Sequence, residues 1–168
     1  MIILGIDPGS RRIGYGAVGE KEGVPHCLTA GLLSIQAGQE ADALAETKQR
    51  ITRILKVARP TLLAVEKLYF VRNQSTAVAV AEHRGVILLS AREEGIPVRE
   101  YAPSEVKAGI AGYGLADKRA VAKMVHLAIK GLPTNLPDDV TDALALALFA
   151  FHREKVNARM GSGLSGEG

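Results

Sequence analysis

A single cysteine, Cys27, in 168 residues excludes an internal disulfide and a cysteine-built zinc site, and it agrees with a reducing, cytoplasmic setting. Tryptophan is absent and phenylalanine occurs three times, so any aromatic platform for stacking on a ligand is small. No apolar run approaches the roughly 20 residues that span a bilayer, and the first residues lack a basic stretch leading into a signal-like core. Neither a membrane span nor a secretion signal is therefore expected. The formal charge is only +3 and the isoelectric point is near 9.1, which permits an anionic partner without demanding one. At 47% hydrophobic and 23% charged, the composition is that of a folded domain rather than a disordered chain. One domain over residues 1–156 is expected, followed by a glycine- and serine-rich disordered tail over residues 157–168.

The apolar run Ile2-Ile3-Leu4 with Ile6 fits a strand covered on both faces, and it ends on Asp7 before a Pro8-Gly9 turn. Ile13 to Val18 reads as the returning arm of a hairpin, and Cys27 to Ile35 as a third strand joined to it by a polar connection over Gly19 to Pro25. These three strands predict an antiparallel meander. A helix follows over Ala41 to Ala58, with Leu44, Ile51, Leu55 and Ala58 inward and Lys48, Arg50, Arg53, Lys56 and Arg59 outward. That basic face is either solvated or laid along a phosphate backbone. Leu62 to Glu66 repeats the pattern of the first strand, an apolar run ending on a carboxylate. The intervening helix predicts that it runs parallel to the first strand, with Asp7 and Glu66 at the same end.

Further on, the helix predicted over Ser75 to Glu94 is apolar on most sides and needs more than one covering surface; a second copy of the chain would supply one. Val98 to Tyr101 is a fifth strand, so the whole reads as an α/β fold with a mixed five-stranded sheet flanked by helices. Pro103 opens a short helix carrying Lys107. Gly109, Gly112 and Gly114 predict a tightly turned or mobile loop, and Asp117 caps a helix that exposes Lys118 and Arg119. The last helix is expected over Asp139 to Glu154, with Asp138 as its cap and Asp139 and Asp142 on one side of its first turns.

Asp7, Glu66, Asp139 and Asp142 thus form a candidate set of converging carboxylates. Such a set repels itself in a partly dry cleft, and hard divalent cations resolve the repulsion. Two magnesium or manganese ions about 3.5–4 Å apart would suit phosphodiester hydrolysis. The tract after Glu66 adds Lys67, Tyr69, Phe70, Arg72 and Asn73. At least one of its two rings is expected near solvent and nucleic acid, while Phe70 is the one expected to complete the core.

The order of Asp7-Pro8-Gly9, Val65-Glu66, Tyr101-Ala102-Pro103-Ser104-Glu105-Val106-Lys107, Gly112-Tyr113-Gly114 and Asp139-Val140-Thr141-Asp142-Ala143-Leu144-Ala145 closely resembles RuvC, the bacterial Holliday-junction resolvases, over about Met1 to Arg153. The resemblance implies an RNase H-like fold and a homodimer that works with RuvA and RuvB. It implies magnesium- or manganese-dependent cutting of two opposed strands, with Asp7, Glu66, Asp139 and Asp142 as the catalytic acids. By the same match, Lys107 and Lys118 lie near the cleft, and Tyr69 falls where many members carry a Phe proposed to stack on bases. Lys67 departs from a Gln often found there, and Asp139 from the His of some members. Three rival readings are an RNase H-like nuclease acting on RNA, a nucleotide-binding relative of sugar kinases and actin, and a junction-binding module without catalysis. The nucleotide reading needs a second lobe for which this chain has no room, and a bare binding module has no use for four acids that repel DNA.

Overall fold

Ile3–Asp7 (β1), Arg12–Lys21 (β2) and Val24–Ser34 (β3) form the expected antiparallel meander, and Leu62–Glu66 (β4) and Val98–Tyr101 (β5) extend it in parallel. The sheet order is β3-β2-β1-β4-β5. The structure, a computed structural model, describes residues 1–68 and 74–163. Its helices are α1 (Glu40–Ala58), α2 (Gln74–Glu93), α3 (Pro103–Ala111), α4 (Lys118–Ala128) and α5 (Asp138–Gly163).

Side-chain alternation along the central strands divides the molecule into two layers. Leu4, Ile6, Leu63 and Val65 face one way, into a core shared with Ala43, Ile51 and Leu55 of α1 and Ile87 and Ala91 of α2. Ile3, Leu62 and Ala64 face the other way, against α3, α4 and α5. The same period of two carries Asp7, four residues after Ile3, and Glu66, two after Ala64, onto the α5 side. That side also holds Asp139 and Asp142.

Helix α5 packs closely on the sheet where β1 and β2 carry glycines beneath it. A Cβ at Gly5 would lie 1.9 Å from the Ala143 carbonyl oxygen, and one at Gly14 would lie 1.9 Å from that of Asp139. At Gly16 it would meet Leu144 at 2.6 Å. These glycines weaken the strands locally, and close backbone approach is what they provide in return.

Five expectations are corrected. The connection assigned to Gly19–Pro25 shrinks to Glu22-Gly23, both with positive φ, because the strands pair as far as Lys21↔Val24. The buried stripe of α1 is Ala43, Thr47, Ile51 and Leu55, and Leu44 is only half-buried. Gly109 belongs to α3 and not to a loop; a Cβ there would meet the Phe149 ring at 2.2 Å, so the ring occupies its place. Only Gly112, with φ of 88°, ends that helix as a left-handed cap. Asp138 is the first residue of α5 and not its cap, because the Pro137 carbonyl already accepts from the Val140 and Thr141 N–H groups. Finally, α5 continues to Gly163, beyond the end expected for it at Glu154. Ala158, Arg159 and Met160 are good helix formers, and no breaker precedes Gly161.

Candidate active site

Asp7 ends β1 one step beyond the pair Ile6↔Val65, which sets it beside Glu66 at the end of the parallel neighbour β4. Both carboxylates open into a cleft of about 340 Å³. Its walls are Pro103, Val106 and Lys107 of α3, Lys118 and Val121 of α4, and Asp142, Ala145 and Leu146 of α5. The predicted N-cap holds: the Asp117 carboxylate accepts from the Ala120 N–H at 2.7 Å, which starts α4 and projects Lys118 toward the cleft.

Like charges crowd the site. Burial, followed by the nearby carboxylates of Asp142, Glu66 and Asp139, pushes Asp7 up to about 7 from an ordinary 3.8. Burial and then Asp142 also raise Glu66, while Lys107 and Lys118 act against that rise. Lys118 is raised in turn, first by its hydrogen bond to Asp142.

The two acids of α5 are held by cations from this chain. Lys118 Nζ donates to Asp142 Oδ2 at 3.0 Å. Arg12 holds Asp139 Oδ2 through Nε at 3.0 Å and a terminal guanidinium nitrogen at 2.9 Å. Asp139 therefore sits at the rim, close enough to repel Asp7, and Asp142 lines the cleft itself. Among the described residues, no three His, Cys, Asp or Glu side chains are gathered closely enough to hold one ion as they stand. The Lys118 and Arg12 side chains are 70% and 59% exposed, and ion pairs that open to water contribute only about 0–1 kcal/mol. Such pairs yield to a competing cation. An all-oxygen donor set with one self-repelling, buried member suits a hard divalent ion.

Of the residues singled out from sequence, the fold brings Asp7, Glu66, Asp142, Lys107 and Lys118 to one cleft, with Asp139 at its edge. Lys67 is exposed just past β4, and Arg119 is exposed on α4. Tyr69, Phe70, Arg72 and Asn73 lie outside the described residues. The basic face of α1 is largely tied to acids: Lys48 pairs with Glu93, Arg50 with Glu46 and Lys56 with Glu94. Sequence reasoning missed Arg12 and the role of Gly14. A glycine directly after Ile13, near the start of a paired strand, was the available signal for the second; nothing marked the first.

Residues 3–150 match the family model described as crossover junction endodeoxyribonuclease RuvC. A protein of that description from Moorella thermoacetica is 44% identical over 150 residues, covering 88% of this chain and 89% of the relative. The Thermus thermophilus RuvC structure is 34% identical with a TM-score of 0.79, covering 96% of this chain and 97% of that one. A T. thermophilus RuvC in complex with Holliday junction substrate gives a TM-score of 0.84 at 34% identity, over 96% of each chain. The mixed sheet with its three-strand meander and flanking helices is thus the RNase H-like fold of these proteins. With strand-end carboxylates facing those of α5 and a match along almost the whole length, the chain belongs to the RuvC family of crossover junction endodeoxyribonucleases.

Proposed function

We propose that the protein resolves four-way DNA junctions by hydrolysing phosphodiester bonds on two opposed strands, leaving 5′-phosphate and 3′-hydroxyl ends. The observation that carries this reading is the placement of Asp7, Glu66 and Asp142 on one cleft, with Asp139 at its rim, in a member of the RuvC family. The junction held by the related T. thermophilus RuvC supports the substrate class. Magnesium or manganese, as two ions, would be held by these four acids and would supply an activated water and charge stabilisation at the leaving oxygen. Asp7 and Glu66 form the rigid wall, because strand ends cannot drift independently. Asp139 and Asp142 would hold the cations from the other side, and Arg12 and Lys118, which pair with them through exposed side chains, would then be placed to meet phosphate.

The test is cleavage of a synthetic four-way junction beside a duplex and an RNA substrate. Paired cuts in the junction alone, with magnesium or manganese and not with calcium, are expected; calcium's larger, looser coordination sphere positions water poorly. Equal cutting of all three substrates would overturn the junction reading.

Residues 1–156 are proposed as the nuclease unit, and a homodimer as its working form. Two symmetric cuts call for two sites related by a two-fold axis, and one chain of this size offers one. Helix α2 buries Ile87 and Ala91 against its own chain, yet Val78 and Leu89 remain 56% and 51% exposed, with Gly85 open between them on the outer face. Sedimentation at micromolar concentration should give a dimer, and a Val78→Asp, Leu89→Asp double variant a monomer that cuts one strand at most. A wild-type monomer both with and without junction DNA would sink this assignment. Cooperation with RuvA and RuvB, and a cytoplasmic setting, are proposed on the family resemblance; the free Cys27 agrees with the latter.

Lys107 is proposed as a backbone contact. It lines the cleft from α3, near enough to Glu66 to act on its charge. Lys107→Ala should weaken junction binding across sequences and lower the slope of log K against log salt by about one phosphate contact. Unchanged binding with lost cutting would make this lysine a catalytic group instead. Lys118, Arg119 and Lys67 are proposed to meet the same backbone, and Tyr69, Arg72 and Asn73 the bases or phosphates beside it.

A further inference from the structure

The peptide unit that follows Glu66 is gripped at both ends, by groups from two different elements. Its N–H, that of Lys67, donates to the Tyr101 carbonyl of β5 at 2.9 Å. Its carbonyl, that of Glu66, accepts from Arg84 Nε of α2 at 3.3 Å. The same guanidinium is anchored on the other side by the Glu100 carboxylate of β5. The Arg84 side chain is only 12% exposed, although it belongs to a helix in the opposite layer from the cleft. A long charged side chain is buried in this way only where its donors are spent on partners. Once both ends of that peptide plane are fixed, the direction of the Glu66 Cα–Cβ bond is fixed with it, and so is the reach of the carboxylate toward Asp7. Arg84 reaches Glu66 through its main-chain carbonyl.

We propose that Arg84 is a positioning residue for Glu66: it clamps the last peptide of β4 and ties the aim of the carboxylate to the seating of α2. This rests on the reading of Glu66 as a cation ligand. Residue 85, next along the helix, is the open glycine between the exposed Val78 and Leu89, so Arg84 is a link between the outer face of α2 and the end of β4. Arg12 and Lys118 neutralise carboxylates directly; Arg84 acts at a distance, by geometry.

The experiment is manganese titration of the full-length protein without DNA, by calorimetry and by loss of the free-ion paramagnetic resonance signal, alongside junction cleavage against manganese concentration. Outer ligands that orient a metal-binding side chain change affinity by about 10–100-fold; for a backbone clamp, Arg84→Met should weaken manganese binding by about 5–10-fold. Half-maximal cleavage should move to higher manganese by the same factor, with the rate at saturating manganese within about threefold of wild type. Arg84→Lys, which keeps the charge and can serve one of the two partners, should recover part of the affinity. Ile87→Val on the same helix, a buried truncation with no polar contact, supplies a comparison for lost stability. Manganese affinity within twofold of wild type in Arg84→Met would overturn the proposal, as would an equal loss of affinity in Ile87→Val. If Arg84→Met does not fold, Glu100→Gln carries the test, with a two- to threefold weakening expected and none overturning it. A wild-type protein that binds no manganese would instead refute the cation site itself.

Discussion

Asp7→Asn is expected to lower junction cleavage by more than about 10³-fold, equivalent to more than about 4 kcal/mol of transition-state stabilisation, while junction binding stays intact or tightens slightly. The amide keeps the shape of the strand end but removes a charge and one of the proposed cation ligands. It also removes a negative charge from the cleft proposed to receive DNA. The two effects separate in gel-shift and cleavage assays run on the same preparations. Substantial cation-dependent cutting by Asp7→Asn would refute the shared site.

The same substitution has a second signature, in stability. Asp7 has a folded pKa of about 7 against 3.8 for the free side chain. Between those values the folded state binds more protons than the unfolded state, so Asp7 makes stability fall as pH rises from about 4 to 7 and leaves a constant penalty above 7. Full realisation of that difference would be about 4 kcal/mol; with one side of the group in water, about half is expected. Asp7→Asn should therefore be more stable than wild type by about 2 kcal/mol at pH 8 in chelator, with the gain gone below pH 4. Adding magnesium or manganese should stabilise the wild type more than the variant, since a ligand that binds only the folded state adds to its stability. Melting curves at the two pH values, with and without cation, measure all three. A variant that melts below wild type at pH 8 in chelator would show that the carboxylates do not crowd as described.

Gly14→Ala is expected to abolish most cutting without touching a carboxylate. Gly14 pairs with Asp7 across the β1–β2 ladder, and its missing side chain leaves room for the start of α5. An added methyl would lie 1.9 Å from the Asp139 carbonyl oxygen, 2.3 Å from its carbon and 2.8 Å from the Val140 nitrogen. Every one of these is backbone, so no rotamer relieves the clash and the helix start must move. Overpacking of this kind costs about 1–3 kcal/mol, and a misplacement near 1 Å can cost about 10²-fold in rate. Cleavage should fall by about 10²-fold or more at near-normal junction binding. Gly38→Ala, where the added methyl meets open space, should leave both unchanged. Wild-type cleavage by Gly14→Ala would mean that α5 has slack the packing does not show.

The places of the four acids in the fold were legible in the sequence, because each is marked by something local. Asp7 and Glu66 each close an apolar run, and an apolar run followed by a turn or a helix is a buried strand whatever surrounds it. Asp139 and Asp142 are three apart at a helix start, and the helix period alone puts them on one side. The parallel relation of β1 and β4 followed from the helix between them, since a crossover is what a parallel pair requires. What only the tertiary structure decided depends on residues far apart in the chain. Arg12 takes Asp139 from 127 positions away, and Lys118 takes Asp142. Gly109 is helical because Phe149 fills the space beside it, and no window around Gly109 contains that ring. The outer face of α2 was readable only as an excess of apolar residues; which of them turn outward was set when Ile87 and Ala91 found the sheet. Arg84 carries no local mark at all. Its partners lie on β4 and β5, 18 residues before it and 16 after, and only the folded sheet brings them to the same guanidinium.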